Sequence, residues 1–178
     1  RGTGKTTLIK QRFLDSSSLH LDLLRSKPYT EFSLDPGLLR KQVEAQPELS
    51  RVIVDEVQRV PSLLDEVHSL IEDFPHIQFI LTGSSARKLK RGSANLLAGR
   101  AQVFHLYPFS SDEMGDSFNL HDSLQWGMLP KLSALSERED KIEFLRAYSM
   151  TYLREEVFQE QLVRKLEPFQ RFLPIAAQ

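Results

Sequence analysis

The sequence predicts an α/β fold, a parallel sheet flanked by helices, followed by a mostly helical C-terminal segment. Three observations carry that expectation. Short β-branched or alternating runs recur at residues 19–23, 51–56, 77–82 and 101–106. Amphipathic helical stretches lie between the first three, and strand–helix alternation is the pattern of parallel strands joined by crossovers. Beyond residue 109 no further strand pattern follows. The chain has 178 residues, 40% hydrophobic and 26% charged. That suits one ordinary domain plus part of a second, and excludes a long disordered tail or a fibrous repeat.

Residues 6–14 read as a helix with Leu8, Ile9, Phe13 and Leu14 on its apolar side, broken by Ser16-Ser17-Ser18. The alternation Leu19-His20-Leu21-Asp22-Leu23 reads as a strand. Asp35-Pro36 reads as a helix start, with Asp as N-cap and Pro at the first helical position, continued over residues 38–45. Arg51-Val52-Ile53-Val54-Asp55-Glu56 suits a buried parallel strand ending in two acids. Residues 61–74 place Leu63, Leu64, Val67, Leu70 and Ile71 on one helical face. Ile77 to Thr82 is the next buried strand, followed by the polar turn Gly83-Ser84-Ser85. A basic stretch at 86–92 leads to a short helix near 95–97, and residues 101–106 read as a last strand. Gly127 and Pro130 punctuate a loop. Residues 137–160 read as a long amphipathic helix with Ile142, Leu145, Tyr148, Tyr152, Leu153 and Val157 as its apolar positions. The predicted division is 1–109 and 110–178.

Charge and composition narrow the function classes. Lys plus Arg is 23 against 24 for Asp plus Glu, a net charge of −1, so bulk charge does not mark a nucleic-acid binder. With no Cys, disulfides, thiolate zinc sites and thiol nucleophiles are excluded. No apolar run approaches the roughly 20 residues of a membrane span, and no signal peptide is visible. These features accord with a cytoplasmic location and no membrane partner. His20, His68, His76, His105 and His121 show no ligand spacing.

The chemistry concentrates at the start. Arg1-Gly2-Thr3-Gly4-Lys5-Thr6-Thr7 matches the back of the phosphate-loop pattern G-x-x-x-x-G-K-[ST]. The pattern's first Gly and the strand feeding it would lie upstream of Arg1, which predicts a piece of a longer protein, cut at both ends. Gly2 and Gly4 permit the backbone turns that aim successive N–H groups at a phosphate. The helix N-terminus adds its positive dipole end. The nucleotide-binding candidates are therefore Gly2, Thr3, Gly4, Lys5, Thr6 and Thr7, with Lys5 reaching the β- and γ-phosphates and the Thr6 hydroxyl binding Mg²⁺. A flexible Gly-rich turn before a helix is the bland alternative.

A second element reinforces the first. Val52-Ile53-Val54-Asp55-Glu56 has the form of a Walker B strand, whose acids face the ligand crevice at the strand's carboxyl end. Asp55 would hold Mg²⁺, and Glu56 is placed to polarise an attacking water. At the tip of the next strand, Thr82 and Ser84 are candidates to contact the γ-phosphate or that water. An N-cap role for Ser84 or Ser85 explains the turn equally well. Arg100 is the best candidate to neutralise transition-state charge, beside the plainer reading of a cation at a helix C-terminus. Arg87, Lys88, Lys90 and Arg91 suit a nucleic-acid backbone or, more simply, a solvated loop.

With those residues in view, the chain resembles the AAA-family ATPases of bacteria and archaea that carry a C-terminal domain of unknown function. The marks are Gly2-Thr3-Gly4-Lys5-Thr6-Thr7, Ile53-Val54-Asp55-Glu56-Val57-Gln58, Leu81-Thr82-Gly83-Ser84-Ser85, Leu96-Leu97-Ala98-Gly99-Arg100 and Leu106-Tyr107-Pro108-Phe109-Ser110. Trp126-Gly127-Met128-Leu129-Pro130 also matches, although that family more often has a second Gly before the Pro. The resemblance implies ATP and Mg²⁺ binding, and hydrolysis. It also implies that a chain without the central first strand binds nucleotide poorly alone.

The leading expectation is an ATPase whose hydrolysis drives a conformational change between the α/β domain and the C-terminal helices. One alternative is a P-loop small-molecule kinase, against which the Asp55-Glu56 pair suits water activation and no Arg-rich lid is evident. Another is a nucleotide-sensing or DNA-binding regulator with little turnover. A GTPase is disfavoured because no Asn-Lys-x-Asp motif occurs. Homo-oligomerisation and a protein or DNA partner stay open.

Overall fold

The structure is a computed structural model that describes residues 2–83, 101–152, 157 and 166–176. The chain divides into two units, Lys5–Phe104 and a second made of Arg1–Gly4 with His105–Gln178.

The first unit is built on three parallel strands in the order β1 (Ser18–Asp22), β2 (Arg51–Asp55), β3 (Gln78–Leu81). Register runs Ser18 to Arg51 and Asp22 to Asp55 on one side, and Arg51 to Gln78 and Val54 to Leu81 on the other. Helix α1 (Lys5–Arg12) precedes β1. Helices α2 (Ser26–Leu34) and α3 (Leu38–Glu44) link β1 to β2, and α4 (Leu63–Asp73) links β2 to β3. This is the α/β arrangement the sequence predicts.

Alternation along the strands divides the labour. Leu21, Val52 and Val54 point into one apolar cluster with Phe32 of α2, Leu39 and Val43 of α3, and Leu63, Leu64, Val67 and Leu70 of α4. Burying each such side chain contributes about 1.5–3 kcal/mol. The alternate residues of β2 face the other way. There Arg51 donates to the Phe13 carbonyl at 2.7 Å and to Asp15 at 3.0 Å, fastening the chain just after α1. On the helical side Arg40 ties α3 to α4 through Asp73 at 2.8 Å and Ser69 at 2.8 Å, and the acids around it raise its pKa above the usual guanidinium value.

Several local expectations are corrected. The apolar side read into α1 buries only Ile9; Leu8 and Leu14 are exposed. Asp35 does not cap α3, whose N-cap is Gly37 without a side-chain bond. Asp35 instead ends α2, its N–H donating to the Glu31 carbonyl, while its carboxylate pairs with Lys41 at 3.1 Å. Helix α2 itself had no counterpart in the sequence reading. Its Pro28 lies in the first turn, where a missing N–H is tolerated. Residues 101–106 form no strand and are exposed: among the described residues no strand of the sheet pairs with them, so nothing takes up their backbone groups in a ladder.

The second unit is helical over its described residues. Helix α5 (Ser111–Met114) opens with a full capping box between Ser110 and Glu113. Helix α6 (Leu120–Trp126) is capped by Asn119, whose side chain accepts from the Asp122 N–H at 3.0 Å. Gly127 at φ 82° ends α6, and Pro130 opens the short helix α7 (Pro130–Ser133). Those two residues thus border helices, where the sequence suggested one loop. Helix α8 (Arg138–Tyr152) carries Phe144, Tyr148 and Tyr152 as successive stacked rings about one turn apart. Helix α9 is Leu166–Ala176. The rest of the long helix expected over 137–160, apart from residue 157, and the short helix expected at 95–97 lie outside the described residues.

Candidate functional site

Strand β2 is the rigid post of the site. Val52, Ile53 and Val54 are fully buried, and Asp55, at its carboxyl end, is 1% exposed. A carboxylate placed so deep needs donors. Two hydroxyls supply them. The Thr6 hydroxyl, in the first turn of α1, donates to Asp55 Oδ2 at 2.7 Å. The Thr82 hydroxyl, one residue past β3, donates to Asp55 Oδ1. Two chain segments, 49 and 27 residues from Asp55 in sequence, therefore meet at this one acid.

Thr82 does more than satisfy Asp55. Its N–H donates to the Val54 carbonyl at 2.9 Å, continuing the parallel ladder, and its carbonyl accepts from Val57 at 2.9 Å. Its hydroxyl oxygen also accepts the Glu56 N–H at 3.1 Å. Thr82 is buried and its hydroxyl hydrogen is committed to Asp55.

Glu56 sits at the turn that follows. Its backbone is left-handed, φ 59° and ψ 44°. Among the described residues it is the one non-glycine with positive φ, a conformation costing about 1–2 kcal/mol for a residue with a Cβ. The surrounding turn holds it there. Val57 and Val60 are buried in the core, the Arg59 N–H returns to the Glu56 carbonyl at 3.0 Å, and the Arg59 side chain donates to the Leu23 carbonyl at 2.6 Å. The Arg59 guanidinium also lies over the Tyr29 ring, 4.5 Å from its centroid. The Gln58 amide donates to Glu56 Oε2 at 2.5 Å.

Gly2 and Gly4 both have positive φ, 71° and 87°, a region that L side chains rarely enter. Thr3 between them has a buried hydroxyl oxygen with no hydrogen-bond partner. Lys5 begins α1 and is half-buried, and Thr7 is exposed. Of the residues singled out in the sequence, the first unit brings together Thr6, Asp55, Glu56 and Thr82. Ser84 and Arg100 lie outside the described residues, as does the basic cluster from Arg87 to Arg91. The sequence reading quoted Gln58 among its marks but gave it no role, and it missed the left-handed turn at Glu56. The one available signal was a polar amide two residues past the acid, and that spacing has no meaning until the turn is known.

Within the first unit, the first turn of a helix meets an acid at the carboxyl end of a parallel strand, the end at which open α/β sheets bind ligands. A family model described as an AAA domain matches residues 1–115. The chain belongs to that family, whose domains are of the P-loop nucleotide-binding type. No curated protein and no solved structure matches the chain. Among the described residues no helix is long and apolar enough to cross a membrane.

Proposed function

We propose that the protein carrying this chain binds ATP with Mg²⁺ and hydrolyses it, and that the cycle moves the α/β domain against the C-terminal helices. The observation that carries the reading is the joining of Thr6, Thr82 and Glu56 around the buried Asp55 carboxylate. The residues present fit the group. Thr6 and Asp55 offer adjacent hard oxygens, the donor type Mg²⁺ prefers. The orphaned Thr3 hydroxyl and the positive-φ glycines suit a phosphate rather than a packed side chain.

In this reading Gly2, Thr3, Gly4 and Thr7 belong to the loop and first helical turn that cradle the phosphates, and Lys5 neutralises the β- and γ-phosphates. Thr6 and Asp55 would hold the Mg²⁺, which supplies charge neutralisation on the phosphate oxygens. Glu56 accepts a proton from the attacking water. Thr82 fixes Asp55 and the Glu56 backbone in mutual register. Ser84 and Arg100 are proposed to complete the site beside the γ-phosphate.

The test is ATP turnover by the whole protein that carries this chain and by its Glu56→Gln variant, with ATP affinity measured on both. Turnover lost by about 100-fold or more, with affinity kept, supports the reading. Equal loss of affinity and turnover makes Glu56 a structural residue and overturns it.

A further inference from the structure

We propose that Gln58 is a positioning residue for the Glu56 carboxylate, required for turnover though not for nucleotide binding. The proposal rests on the hydrolytic reading above and assigns a role that the reading itself does not need. Two independent features of the turn support it.

The first is the backbone. Glu56 is held left-handed by bonds on both sides: its own N–H to the Thr82 hydroxyl, the next N–H to the Thr82 carbonyl, and its carbonyl to the Arg59 N–H. That fixes where the Glu56 Cα and Cβ are, but not where its carboxylate goes. A Glu side chain has three rotatable bonds beyond Cα, and ordering a long side chain costs up to about 1.5–2 kcal/mol. A general base that must meet a water needs that ordering done before the reaction.

The second is the side-chain contact. The Gln58 amide donates to Glu56 Oε2 from a residue two positions on. Gln58 can do this because the chain between them is a 3₁₀ turn, Val57–Arg59, anchored by two buried valines and by Arg59 on the Leu23 carbonyl. The donor is thus mounted on a turn fastened to the core. An N–H on one carboxylate oxygen fixes the rotation of the whole carboxylate and stabilises its charged form. Asn at this position would fall a methylene short. Met would match the length and lack the donor.

The experiment is a double-mutant cycle on the full chain, with kcat, KM and ATP affinity measured for wild type, Gln58→Met, Glu56→Gln and the double variant, and thermal unfolding recorded for each. Loss of about tenfold or more in kcat for Gln58→Met, with KM and ATP affinity unchanged, is expected by analogy with outer partners that orient metal ligands. In the Glu56→Gln background the same substitution should have no further effect, because the group it orients is gone. Equal losses in both backgrounds, a wild-type kcat, or a rise in kcat would each overturn the positioning role and leave the hydrolytic reading standing. A Glu56→Gln variant as fast as wild type would overturn the hydrolytic reading, and this role with it. A drop in melting temperature that parallels the kcat loss would make Gln58 structural only.

Discussion

The Thr6 hydroxyl reaches Asp55 Oδ2 across 2.7 Å, joining the first turn of α1 to the end of the central strand. This bond is the meeting point of α1 and the strand that ends in Asp55. Threonine supplies it with a short, stiff side chain, so the contact also fixes how the helix leaves the loop.

Lys5→Ala should weaken ATP affinity by at least about tenfold, since a cation facing phosphates contributes more than a neutral contact. Isothermal titration with ATP checks this. Unchanged affinity would remove Lys5 from the site.

Thr82→Val keeps the shape of the side chain and removes its hydroxyl. Asp55 Oδ1 and the Glu56 N–H then each lose a bond that Thr82 provides. The expected cost is about 1–3 kcal/mol of stability for a buried polar group left unpaired, read as a lower urea midpoint. A midpoint equal to wild type would show that water replaces the hydroxyl.

Glu56→Gly should be more stable than Glu56→Ala by about 1 kcal/mol, because both lack the carboxylate and only Ala keeps the left-handed penalty. Thermal unfolding of the pair measures the difference. An Ala variant as stable as the Gly variant would mean that the turn relaxes once the side chain is removed.

Asp15 carries a pH dependence. The hydroxyls of Ser18 and Ser17, the Arg51 guanidinium and the Ser17 N–H lower its pKa from 3.8 to about 2. A carboxyl depressed on folding adds stability that is full above its unfolded value and fades as pH falls toward the folded one. The wild-type chain should therefore lose stability between about pH 4 and pH 2, while Asp15→Asn loses less over the same window. Urea midpoints at a series of pH values decide it, and parallel curves for the two proteins would count against the assignment.

Much of the frame was legible in the sequence because it depends on local pattern. Val52-Ile53-Val54 suits a buried strand, and the spacing of Leu63, Leu64, Val67 and Leu70 suits one helical face. Helix α2 was not legible, because Ser26-Lys27-Pro28 reads as loop until Phe32 is seen in the core. The strand expected at 101–106 failed for a related reason: Val103 and Phe104 have strand-like side chains, but pairing is a tertiary fact and both are exposed. At the site, residue types pointed to Thr6, Asp55, Glu56 and Thr82. What the residue types could not supply was connection. That the Thr82 hydroxyl serves both Asp55 and Glu56, and that Gln58 turns back to Glu56, depend on a left-handed residue that nothing local announces.

The alternation of β2 has a consequence for how this domain tolerates change. Val52 and Val54 hold the helical layer of α2, α3 and α4, while Arg51, Ile53 and Asp55 serve the opposite side, so packing and chemistry use different residues of one five-residue strand. Substitutions on the chemical side can retune the site and leave the larger core untouched. An inserted or deleted residue has no such freedom: it would exchange the two faces, driving Asp55 into the apolar layer and a valine toward Thr6. Drift in this strand is therefore confined to substitution, one face at a time.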